Sequence, residues 1–275
     1  MELSGTFTAP DGTALFTRQW PVAGARAAIL LVHGVAEHSG RYAHVAAYLN
    51  GQGYAVYALD LRGHGRSPGP RAYIGRYDLY LDDLLAYFQQ VAAEEPGRPI
   101  FILGHSMGGL LALVFTARRQ SSLAGMITSG APVALGEVTP GWLQAVSGVL
   151  ARIAPRLPVV RLSAADISRD PAVRAAYDRD PLNYRGWLSA RQGVELIALA
   201  DEARAGLPGI TIPCLCLHGS ADAIAPPVSL EIIAREIGAT DKTIRCYEGV
   251  YHEVFNEPER DQVLRDVEEW LAART

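Results

Sequence analysis

Ser106 stands in Gly104-His105-Ser106-Met107-Gly108, a G-x-S-x-G pattern set between two apolar runs, "FILG" and "LLALVF". A serine wedged between glycines where a buried strand hands over to a helix predicts a sharp turn with strained backbone at the serine. Flanking side chains would collide in such a turn, so glycine is required on both sides. The hydroxyl then stands above the sheet at a helix N-terminus, whose free N–H groups favour developing negative charge. The chemistry this prepares is nucleophilic attack on an acyl carbon. A plain glycine-rich packing turn would use the same residues, but the strand before it and the helix after it favour the nucleophile.

A serine hydroxyl needs a base to take its proton and an acid to orient that base, in the chain order Ser, Asp or Glu, His. Of seven histidines, His252 in "EGVYHEVFNEPE" follows the last strand and precedes the last helix. Asp222 in "CLHGSADAIAPP" lies just past the preceding strand. Both fall at carboxyl ends of strands, where open α/β sheets build their sites. His252 is therefore the expected general base and acid, and Asp222 its orienter. A tetrahedral intermediate also needs two aimed N–H donors. Met107, after the nucleophile, supplies one, and Val35 in "LLVHGVAEHSGRY" is the best candidate for the other. His33-Gly34 resembles the oxyanion motif of lipases and esterases.

The elements that must hold these residues alternate. "AAILLVHG", "YAVYALDLRGHG", "PIFILGHS", "LAGMITSGAP", "TIPCLCLHGS" and "KTIRCYEGV" read as strands. The strands buried on both faces have the continuous apolar character of a parallel sheet. "YAHVAAYLNGQG", "DLYLDDLLAYFQQVAAEE", "LLALVFTARR" and "PERDQVLRDVEEWLAAR" read as helices, and two short strands joined at Pro10-Asp11-Gly12 open the chain. This predicts an α/β fold, a mostly parallel sheet flanked by helices, in a single domain over residues 1–275. From about Val133 to Trp187 no convincing buried strand occurs, and Trp142, Leu143, Val146, Val149, Leu150 and Ile153 recur at helical spacing. That region reads as a helical insertion, its stripe by default packed on the core.

With 275 residues, 49% of them hydrophobic and 20% charged, the composition is globular. A net charge of −4 of mixed sign gives no field for nucleic acid. No run reaches the length of a membrane span and the N-terminus does not resemble a signal peptide. Cys214, Cys216 and Cys246 read as reduced thiols, which points to a cytoplasmic protein. No cofactor or metal is expected. His252-Glu253 continues to Asn256 where a zinc helix needs a second histidine, the lone Lys242 lacks a phosphate-loop glycine, and Pro68 spoils a dinucleotide fingerprint after Gly63-His64-Gly65.

"HGVAEHSGRY", "LDLRGHGRSPGPRAYI", "LGHSMGG", "ISRDP", "YDRDPLNYRG", "HGSAD" and "YEGVYHEVFNEPE" together resemble the monoacylglycerol lipase family of α/β-hydrolases, in order over nearly the whole chain. The resemblance implies an α/β-hydrolase fold with a cap at about 133–187. It also implies hydrolysis of a monoacylglycerol to glycerol and fatty acid through an acyl-Ser106 intermediate. Ser106, Asp222 and His252 fall on the family's triad, and the Val35 and Met107 backbones on its oxyanion hole. Glu37, His105 and Tyr177 fall on its glycerol-recognising positions, with a loop brace, an elbow support and cap packing as their plainer roles. The cap implies a small lipid substrate and leaves transient contact with a membrane or micelle open. A lysophospholipase or general carboxylesterase would use the same triad, whereas a non-catalytic binding protein of this fold would be expected to lack part of it.

Overall fold

A computed structural model describes residues 1–275. The chain opens with the hairpin β1 (Leu3–Thr8) and β2 (Ala14–Trp20), turned at Gly12, and continues through β3 (Ala27–Val32), α1 (Ala43–Gly51), β4 (Tyr54–Leu59), α2 (Asp78–Glu94) and β5 (Ile100–His105). Next come α3 (Met107–Arg119), β6 (Gly125–Ser129), the one-turn α4 (Leu135–Val138), α5 (Gly141–Ile153), β7 (Pro158–Arg161), α6 (Pro171–Arg179), β8 (Trp187–Ser189) and α7 (Ala190–Gly206). The chain ends with β9 (Cys214–Gly219), α8 (Val228–Glu236), β10 (Lys242–Tyr247) and α9 (Arg260–Ala272).

Eight strands form one sheet in the order β1-β2-β4-β3-β5-β6-β9-β10, parallel from β4 to β10 with the antiparallel hairpin at one edge. Every residue of β3, β4, β5, β6 and β9 is buried, the reason these strands read as unbroken apolar runs rather than alternating ones. Leu84, Tyr87, Leu110, Leu111 and Phe115 of α2 and α3 cover one face. Val45 and Leu49 of α1 with Val263, Val267 and Trp270 of α9 cover the other. Each such side chain contributes about 1.5–3 kcal/mol by leaving water. The sheet is thus a rigid platform whose strand ends hold the loops of the site.

Between β6 and α7 the chain leaves the sheet, and here two expectations change. The region is not wholly helical: β7 and β8 pair antiparallel in a separate two-stranded ribbon. The α5 stripe is helical as its spacing predicts, but it does not pack on the core. Trp142 is 70% exposed, Val149 56% and Ile153 75%, and only Ala151 of α5 is buried. The helix rests on α7 by its small-residue side and turns its large apolar side to solvent. No helix is long and apolar enough to cross a membrane.

Candidate active site

The turn between β5 and α3 has the strain its glycines imply. Ser106 sits at φ 54°, ψ −119°, in the left-handed half of backbone space that a serine rarely adopts. A Cβ on Gly104 would lie 2.1 Å from the Gly108 carbonyl oxygen, and one on Gly108 2.1 Å from that of Val32. Both glycines are therefore required by close backbone approach. The strained turn is held by its own backbone: Ser106 N–H donates to the Ser129 carbonyl at 2.8 Å, and its carbonyl accepts from Leu110 N–H at 3.1 Å. Met107 is the first residue of α3, so its N–H has no intrahelical acceptor.

His252 and Asp222 meet across two loops. His252 Nδ1 lies 2.7 Å from Asp222 Oδ2. Asp222 Oδ1 accepts the N–H groups of Ile224 and Ala225, each at 2.8 Å, so the carboxylate cannot swing away. Burial alone would raise the Asp222 pKa, but the charge of His252 and hydrogen bonds from His218 and His252 hold it well below the usual carboxylate range. Burial likewise works against a charged His252, and the Asp222 carboxylate overcomes it and raises the imidazole pKa. Since Asp222 is ionised, the proton of neutral His252 lies on Nδ1. This leaves Nε2 as a proton acceptor.

The β3–α1 loop is built to aim one N–H. His33 Nε2 accepts from Leu61 N–H at 3.0 Å, so its proton is on Nδ1, which donates to the Gly34 carbonyl at 2.7 Å. In a planar trans peptide the N–H points opposite the carbonyl, so this bond directs the Val35 N–H away from His33. Ala36 follows at φ 66°, and its strained carbonyl is fixed by Tyr184 N–H at 2.9 Å and the Tyr177 hydroxyl at 3.3 Å. A Cβ on Gly34 would come within 3.1 Å of Ser106 Cβ, which is how closely this loop approaches the serine.

Ser106, His252, Val35, Glu37, His105 and Tyr177 all line one cavity, and the apolar Leu162, Ile167 and Ile224 complete its wall. Of the predicted residues only Met107 and Asp222 do not line it, and both are buried. Glu37 does brace its loop: Oε1 accepts from Gly34 N–H at 2.6 Å and from the Tyr42 hydroxyl at 2.7 Å, while Oε2 accepts from Arg41 at 2.8 Å. Burial pushes its pKa up, but Arg41 and the neighbouring histidines hold it at about 2. His105 stacks 4.7 Å from the His252 ring and contacts Ser129 Oγ at 3.2 Å. Burial, then repulsion from His252, lowers its pKa to about 3, so it is neutral.

Several participants have no strong signature in the sequence. Arg41 pairs with Glu37 and Glu253 and stacks 4.9 Å from the Tyr177 ring centre, joining the loop, the His252 segment and the α6 region. The i,i+4 spacing of Glu37 and Arg41 was the available clue. His218 Nε2, shared between the Ala225 carbonyl at 3.0 Å and Asp222 Oδ2 at 3.3 Å, lies four residues before Asp222 in "HGSAD". His38 Nδ1 accepts Gly40 N–H, so its Nε2 donates to Asp180 at 2.9 Å, tying the core loop to the inserted region.

Sheet order, strained serine turn and buried histidine–carboxylate pair define an α/β-hydrolase of the serine type. A family model described as serine aminopeptidase, S33, matches residues 23–259. The monoacylglycerol lipase of Mycolicibacterium smegmatis is 37% identical over 98% of this chain and 96% of its own length. Human monoglyceride lipase is 34% identical over 96% and 89%. Among solved structures, the Paleococcus ferrophilus monoacylglycerol lipase superposes with a TM-score of 0.84 at 33% identity, over 95% of this chain and 99% of that one. A soluble variant of the Saccharomyces cerevisiae monoglyceride lipase, in complex with a substrate analog, gives 0.86 at 26%, over 100% and 95%. The chain belongs to the monoacylglycerol lipase family of α/β-hydrolases, within the S33 group, and is a carboxylic ester hydrolase.

Proposed function

We propose that this enzyme hydrolyses monoacylglycerols to glycerol and free fatty acid, with Ser106 as nucleophile, His252 as general base and acid, and Asp222 as its orienter. The observation that carries this reading is the 2.7 Å His252–Asp222 bond beside a serine at φ 54°, both facing a cavity shared with Glu37 and Tyr177. His252 Nε2 takes the Ser106 proton as Oγ bonds to the ester carbon. The carbonyl oxygen becomes an oxyanion received by the Val35 and Met107 N–H groups. Collapse breaks the bond to the glycerol oxygen, which leaves with the proton from His252. Water, deprotonated by the same nitrogen, then attacks the acyl-serine, and the fatty acid departs as Ser106 recovers its proton. Neutral His105 beside His252 adds no positive charge that would lower the base's affinity for a proton.

The cavity has a volume of only about 20 Å³, room for about one water molecule. We read residues 133–187 as a cap that must shift for substrate to reach Ser106, carrying Leu162, Ile167 and Tyr177 with it. The exposed α5 stripe suits contact with the lipid aggregate that holds the substrate, because Trp142, Val146, Val149 and Ile153 present one continuous apolar ridge. Replacing Trp142 and Ile153 together by serine is expected to reduce sedimentation with phospholipid vesicles severalfold, with hydrolysis of a monomeric short-chain ester unchanged. Equal vesicle binding would remove the ridge from this role.

A panel of esters sharing one acyl chain tests the substrate. Monoacylglycerol is expected to exceed diacyl- and triacylglycerol by at least tenfold in kcat/KM and to exceed choline-headed lysophospholipid as well. Preference for the choline-headed lipid would make the enzyme a lysophospholipase.

A further inference from the structure

A second pocket, of about 480 Å³, opens beside the catalytic cavity and shares Leu162 and Tyr177 with it as a common wall. Its character differs. Arg161 at the end of β7, Arg185 before β8 and Ser163 surround it, with Asp178 as the only acidic residue in its lining. About half of this molecule's arginines have a carboxylate partner, as Arg169 has Glu257 and Glu259 and Arg204 has Glu137 and Glu236; the two at this pocket do not. Arg161 has no carboxylate partner, and Arg185 donates only to the backbone carbonyl of Asp178. Ser163 Oγ accepts the Ala165 N–H at 3.1 Å, which leaves its hydroxyl hydrogen free to donate. The pocket therefore offers two guanidinium forks and a hydroxyl, with one positive charge in excess.

Its position relative to the ester sets what can reach it. Glu37, Glu253 and Tyr177 line the catalytic cavity with Ser106, polar groups that suit an alcohol and not an acyl chain. Tyr177 lines both this cavity and the arginine pocket, so the two adjoin at its side chain. A substituent on the glycerol hydroxyl farthest from the ester would enter there once the cap shifts. Guanidinium forks match the oxygens of a phosphate group by paired hydrogen bonds.

We propose that the Arg161–Arg185 pocket is a head-group subsite for monoacylglycerols carrying a phosphate on the free glycerol hydroxyl, which widens the substrate class of the proposed hydrolase to acidic monoacyl lipids. The inference rests on the reading of Ser106 as nucleophile, yet it is tested by binding alone. In the Ser106→Ala protein, calorimetric titration with monomeric octanoylglycerol phosphate and with octanoylglycerol compares the two ligands without turnover. The phosphate ester is expected to bind about tenfold more tightly. That advantage should shrink to within twofold when Arg161→Ala and Arg185→Ala are added, and it should weaken as salt is raised. Equal affinity for the two ligands, or an advantage that survives removal of both arginines, overturns the subsite. Failure of the wild-type enzyme to cleave any monoacylglycerol would instead overturn the proposed function and leave the binding result intact.

Discussion

Replacing Ser106 with alanine is expected to lower kcat/KM on monoacylglycerol by roughly 10⁴-fold or more, from the cost of removing a triad nucleophile, while the protein remains folded. The two halves of that expectation have separate physical grounds. The bonds that hold the turn are those of the Ser106 backbone to Ser129 and Leu110, and alanine keeps both. Alanine at φ 54° bears the same strain that serine bears there. The thermal midpoint should therefore stay within a few degrees of wild type, read by circular dichroism. The activity loss follows because no other hydroxyl in the cavity can replace the nucleophile: the only one, on Tyr177, lies against the Ala36 carbonyl. Residual rate should come only from the Val35 and Met107 donors acting on water attack. A folded variant within tenfold of wild type would mean that another group attacks the ester.

How much of this could be read from the chain depends on what each feature demands of its residues. Ser106 and its glycines were legible because the close approaches of Gly104 and Gly108 exclude every other side chain, so the pattern is forced. The buried strands were legible because two-sided burial leaves no room for alternation. By contrast α7 has little sequence signature: its buried face is Ala190, Gln192, Glu195, Leu199, Ala200 and Ala203, mostly small or polar residues that give little apolar period. The ribbon is short, four residues of mostly exposed β7 against three of β8, which erases the usual strand signal. The spacing of the α5 stripe predicts a helix face but not its surroundings, since helical spacing of apolar residues reports a face and not what covers it. Ala36 gives the sharpest case. Its positive φ comes with bonds to its carbonyl from Tyr177 and Tyr184, some 140 residues away in sequence, and no local glycine announces it.

Asp222→Asn should reduce kcat/KM by about 10⁴-fold, through a change of tautomer more than of shape. The Ile224 and Ala225 N–H groups require an acceptor at Oδ1, so the asparagine carbonyl takes that place and its amide N–H faces His252 Nδ1. The imidazole must then accept at Nδ1 and carry its proton on Nε2, where it cannot take the one from Ser106. A pH profile separates this from simple misplacement. In the wild type, kcat/KM should rise with pH as His252 loses its proton, with a midpoint above the ordinary imidazole value of 6.5 because its pKa is raised. Without the carboxylate, burial is left to dominate and the pKa falls, so the small residual activity should titrate at lower pH. Stability carries the same signature with two signs. Asp222, depressed on folding, stabilises the native state above its ordinary value of 3.8, an effect lost as pH falls through the folded pKa. His252, raised on folding, stabilises below 6.5, and that part is lost as pH climbs through its folded pKa. The pair therefore contributes most between those two ordinary values, and urea denaturation of Asp222→Asn across that window should show its largest deficit there. An acid limb that stays in place in the folded variant would separate Asp222 from the titration of His252 and break the chain of proton transfer from which the mechanism is built.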